Sequence, residues 1–145
     1  EAIVLRLVRP LTLVLAICLP VATGAQSTPP FKARLSPVPV DATTQPRTTG
    51  MGSVTATLRG NVLSVSGTFS GLQGPATIAQ VHVAPRGLRG PAVLDLIVTK
   101  GTSGTVQGDL ALTGAQVDHL RRLRLYIQIH SEAAPEGNLW GWLLP

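Results

Sequence analysis

The sequence predicts an all-β domain: an antiparallel two-sheet β-sandwich, Ig-like or Greek-key in type, with about seven to eight strands and one short helix. Three observations carry this. From Phe31 to Leu144 short runs alternate apolar and polar residues, the two-residue period of half-buried strands. Turn formers punctuate those runs, with 15 glycines and 12 prolines in 145 residues, a density hostile to long helices. The 44% apolar content is enough for a core and excludes a wholly disordered chain. The length suits one domain.

Phe31–Leu35 is the first strand expected, and Ser36–Gly50, with Pro37, Pro39 and Pro46, is a loop or a poorly paired edge segment. Gly52–Arg59 places Val54, Ala56 and Leu58 on one face. Gly60-Asn61 then makes a tight hairpin turn, and Val62–Phe69 returns with Leu63, Val65 and Phe69 inward. Ser70–Pro75 is a glycine loop, Thr77–Ala84 a strand, and Pro85–Pro91 a loop of turn formers. Ala92–Thr99 and Thr105–Leu112 are two more strands. Thr113 and Gln116 have capping-box spacing, with Leu112 and Val117 as the hydrophobic staple, so a two-turn helix starts at Gly114 and runs to about Arg122. Leu123–His130 is the clearest strand, and Asn138–Leu144 closes the chain.

Ahead of this domain, Arg6 and Arg9 precede the apolar run Leu11–Ala22, which matches a secretory h-region and is short for a bilayer span of roughly 20 residues. Thr23 and Ala25 suit a signal-peptidase site, so residues 1–25 are expected to be a signal peptide cleaved before Gln26; an uncleaved membrane anchor is the alternative. Residues 26–30 are a tether and residues 31–145 the domain. Cleavage removes Cys18, the only cysteine, which itself excludes a disulfide framework and a cysteine-rich zinc site. The expected location is secreted, periplasmic or in the cell envelope.

Several motifs occur together in order: Gly71–Ala76, then Gln80-Val81-His82, then Gly87-Leu88-Arg89-Gly90-Pro91-Ala92-Val93. Leu112-Thr113 follows with Gln116 and Leu120, then Leu125–His130, then Pro135-Glu136-Gly137-Asn138-Leu139-Trp140-Gly141. This set resembles the chordin-repeat (CHRD) family over about residues 31–145. The resemblance implies a secreted or cell-surface β-sandwich module, and membership in that family does not imply an enzymatic activity. Gln80 stands where the family usually has the first histidine of a His-x-His pair, and Asn138 where it has an acid. Both changes remove potential metal ligands.

One constellation could carry chemistry. Strand alternation places Gln80 with His82, and Tyr126 with Gln128 and His130, on faces opposite the apolar rows. If these strands are neighbours, His82 and His130 come together, with Asn138, Trp140 and Trp142 beside them. Histidines that only hydrogen-bond to backbone are the plain reading. A copper or zinc site using His82 and His130, with Glu132 or Glu136, is the alternative, although such sites take three or four ligands. His119 is expected to be exposed on the helix. Basic residues cluster as Arg86 with Arg89 and as Arg121, Arg122 and Arg124. The second group complements a helix C-terminus, and both also suit an extracytoplasmic protein, an acidic polysaccharide or anionic headgroups. Nucleic acid is not expected, and a membrane only through the N-terminal segment. No Gly-x-Ser-x-Gly elbow, phosphate loop or paired-acid arrangement is present, so no enzyme and no required cofactor are expected.

Overall fold

The computed structural model describes residues 29–145. The expected signal segment, and the tether as far as residue 28, lie outside the described residues. The elements are β1 (Phe31–Pro37), β2 (Met51–Arg59), β3 (Val62–Ser70), β4 (Ala76–Val83), β5 (Ala92–Val98), β6 (Gly104–Ala111), α1 (Gly114–Arg121), β7 (Leu125–Ser131) and β8 (Leu139–Trp142), with one 3-10 turn at Gln45–Arg47.

The strands close into a barrel in the order β1-β2-β3-β6-β5-β4-β7-β8, and β8 returns to β1, every pair antiparallel. The two-sheet sandwich expected from the sequence is therefore wrong. Two short seams close what would otherwise be separate sheets. One joins β5 to β6 through Ile97↔Gln107 and Val98↔Val106. The other joins β1 to β8 through Ser36↔Trp140 and Pro37↔Leu139, extended by a bridge between Lys32 and Leu144. The second seam depends on an absent side chain. Gly141 points inward, and a Cβ there would run into the Arg34 carbonyl and press on Leu35, so only glycine lets β8 lie this close to β1.

Alternation fills the barrel. Leu35, Ala56, Leu63, Val81, Val106, Leu125, Ile127, Ile129 and Leu139 are fully buried in one cluster. Burying each large aliphatic side chain contributes roughly 1.5–3 kcal/mol. The expected hairpin is present, with Arg59 opposite Val62 and Gly60 at φ 61°. Because β3 and β6 each connect past intervening strands, their connections cross the two barrel ends and plug them. Leu72 closes one end from the loop after β3, and Leu120 of α1 closes the other.

The capping box forms as the sequence indicates. Thr113 Oγ1 accepts from Gln116 N at 3.2 Å, and Thr113 N donates to Gln116 Oε1 at 2.9 Å. The far end differs from expectation. Leu123 takes φ 58°, while Leu123 N donates to Leu120 O and Arg124 N to His119 O, each at 2.9 Å. This is a left-handed helix cap built on leucine, so β7 begins at Leu125 and not at Leu123. His119 is half-buried, not exposed, with Nδ1 enclosed and unpartnered. In the 38–50 loop, Asp41 Oδ1 accepts from the backbone and hydroxyl groups of Thr43 and Thr44. These bonds, that from the Thr43 hydroxyl foremost, hold its carboxyl down to about 2.

Candidate functional site

The outward faces of β4, β7 and β8 form one surface, since β4 pairs with β7 and β7 with β8. Two loops fold back over it. His82 Nδ1 donates to Gly90 O at 2.9 Å, Gly90 N donates to the Tyr126 hydroxyl at 3.0 Å, and Trp142 Nε1 donates to Ala84 O at 3.2 Å, which pins the 84–91 loop. His130 Nδ1 donates to Pro135 O at 2.8 Å and Gln128 Nε2 to Glu136 O at 3.2 Å, which pins the 132–138 loop. Arg89 joins the loops by donating to Glu136 O at 3.1 Å. Asn138 lies fully buried beneath them, donating to Thr49 O and accepting from Ser131 Oγ at 2.7 Å.

Under this cover lies a second apolar cluster, outside the barrel, of Val38, Ala84, Tyr126, Trp140 and Trp142. Its rings interlock, with Tyr126 and Trp142 centroids 4.6 Å apart and Trp140 and Trp142 4.7 Å apart near T-shaped. Alternation correctly puts Tyr126, Trp140 and Trp142 opposite the main core, but they are buried all the same.

His82 and His130 do come together, with ring centroids 6.1 Å apart and planes inclined by 29°. A carbonyl can only accept, so each Nδ1 carries the proton and each Nε2 presents a lone pair. His130 Nε2 accepts from Gln128 at 3.3 Å, whereas His82 Nε2 is enclosed and unpartnered. Burial lowers the His82 pKa below 6.5, the bond to Gly90 opposes this, and His130 adds to the lowering. The rings stack, and His130 Nε2 is already engaged by Gln128, so the pair does not offer two free lone pairs. Glu132 and Glu136 are exposed in the loop, and among the described residues no three His, Cys, Asp or Glu side chains gather as a ligand set.

The basic residues sort differently from their sequence clusters. Arg86 and Arg89 are both exposed, but the loop sends them apart. Arg89 turns toward Glu136, while Arg86 lines an open groove of about 270 Å³ with Lys32, Arg34, Trp140 and Trp142. Lys32 and Arg34 were missed by sequence reasoning. Their outward alternation in the first strand was legible, but its pairing with the last strand was not. Arg121, Arg122 and Arg124 are exposed at the end of α1. They share a barrel end with the start of the Arg86 loop, because Ala84 N donates to Arg124 O at 2.9 Å.

A family model described as CHRD domain matches residues 31–143. No curated protein and no solved structure matches the chain.

Proposed function

The chain belongs to the CHRD domain family, and from that premise we propose that it is a non-enzymatic binding module working outside the cytoplasm, with an acidic polymer as its partner. The observation that carries this reading is a set of four exposed arginines, Arg86, Arg121, Arg122 and Arg124, on two segments tied to each other by the backbone bond from Ala84 N to Arg124 O, in a chain of net charge +5. Such a surface concentrates polyanions electrostatically, with an attraction that salt screens over about 10 Å at 0.1 M. The Arg6, Arg9 and Leu11–Ala22 pattern supports export.

The test is titration of the 26–145 protein with heparin at low and physiological salt. Affinity should fall as salt rises, and Arg121→Ala with Arg122→Ala should weaken it. Binding that ignores both salt and this double substitution would remove the polyanion reading.

A further inference from the structure

We infer that the groove between β1, β8 and the 84–91 loop is a subsite for one acidic sugar unit, a uronate or a sulfated pyranose, of a polysaccharide chain. This rests on the acidic-polymer reading and assigns it a place and a ligand chemistry. The groove of about 270 Å³ has a cationic rim, from Lys32 and Arg34 on β1 and Arg86 on the loop, and among the described residues no acidic one lines it. Its floor is aromatic, from Trp140 and Trp142 on β8. A pyranose ring offers apolar C–H faces and, in these sugars, anionic substituents at its edge. That combination matches an indole floor inside a guanidinium and ammonium rim.

The floor is rigid. Each tryptophan is only 8% exposed, Trp142 is hydrogen-bonded to Ala84 O, and both are wedged against Tyr126. The rim side chains, by contrast, are exposed and free to adjust their reach. A simple polyanion gains only from the rim, whereas a sugar also covers what the two indoles leave exposed to the groove. The exposed arginines at the end of α1 lie on the segment whose Arg124 carbonyl accepts from Ala84 N, at the root of the loop that carries Arg86, and are the cations a longer chain would reach next. A small isolated anion gains nothing from them.

The chain contains two tryptophans, and both line this groove, so tryptophan emission reports on it alone. The experiment titrates the 26–145 protein with a heparin-derived oligosaccharide, with neutral dextran and with polyaspartate, following both emission and calorimetric heat. The oligosaccharide should give a saturable emission change. Arg34→Ala with Arg86→Ala should lower its affinity about tenfold or more and suppress that change, with the thermal midpoint held. Arg121→Ala with Arg122→Ala should weaken affinity and leave the emission change at saturation. Dextran should give neither signal, and polyaspartate heat without emission change.

Oligosaccharide binding with silent tryptophans, or with an emission change that survives Arg34→Ala and Arg86→Ala, overturns the groove and leaves the polymer reading standing. An equal emission response to polyaspartate overturns the sugar assignment. No heat with any polyanion overturns the polymer reading itself.

Discussion

His82 shows how one side chain can make the loop cover sensitive to acid. It pairs with Tyr126 across β4 and β7, stacks on that ring at 5.0 Å, and through Nδ1 holds Gly90 O. Among the described residues the groups facing it are the Gly90 carbonyl, the Tyr126 ring and the His130 ring, none of which offers its enclosed Nε2 an acceptor. A proton arriving at Nε2 would therefore place a charge in a site without a counter-charge. The folded-state pKa is below the ordinary 6.5, so as pH falls below that value the unfolded chain takes up a proton that the folded chain refuses. The stability contributed by neutral His82 is complete above that range and is lost as pH drops toward and through the lowered value. The thermal midpoint should fall between pH 7.5 and 5, and His82→Phe should flatten that slope. An unchanged slope in the variant would assign the acid sensitivity to another group.

At the scale of elements, β1 and β8 matter most, because their pairing both closes the barrel and builds the groove. Gly141→Ala should strain this seam by about 1–3 kcal/mol, the usual cost of forcing an extra carbon into filled space. The cost should appear as a lower denaturant midpoint, together with a red-shifted tryptophan emission as Trp140 and Trp142 become wetter. A midpoint within error of the parent would mean that β1 yields easily and that the seam is not tight. The elements also show what was legible in the sequence. Alternation placed Val54, Leu63, Val81 and Ile127 inward, and the Thr113 and Gln116 spacing located α1, because both patterns act through local geometry. Leu123 was misplaced because leucine seldom adopts a left-handed cap; here its side chain packs on the core from that position. Tyr126, Gln128 and His130 were rightly put on one face. The cover that buries Tyr126 and Gln128 comes from loops whose glycines and prolines mark turns without saying where the chain goes next.

For the whole molecule, closure was the feature hidden from periodicity, since the same alternation serves a sandwich and a barrel. What separates them is whether strands far apart in sequence meet, and here the deciding pairs are few. The β2–β3 ladder runs from Met51↔Ser70 to Arg59↔Val62, and β3–β6 is almost as long, while β5–β6 has the Ile97 and Val98 rungs and one further backbone bond from Thr99 to Thr105. The β1–β8 seam has two ladder rungs, with separate backbone links beyond them at Lys32–Leu144 and Val38–Asn138. Opening at a seam breaks few backbone bonds and leaves both long ladders intact, so the barrel should breathe there well below the free energy of global unfolding. Native-state hydrogen exchange followed by NMR tests this. Ladder amides at the two seams should exchange faster than those in the middle of β2–β3, and mild denaturant should leave the seam rates nearly unchanged, because little surface is exposed when a seam parts. Equal protection at Gln107, Trp140 and the central β2–β3 amides would show that the barrel opens only as a unit. The end plugs at Leu72 and Leu120, reaching into one core from opposite directions, would then be what holds the seams shut.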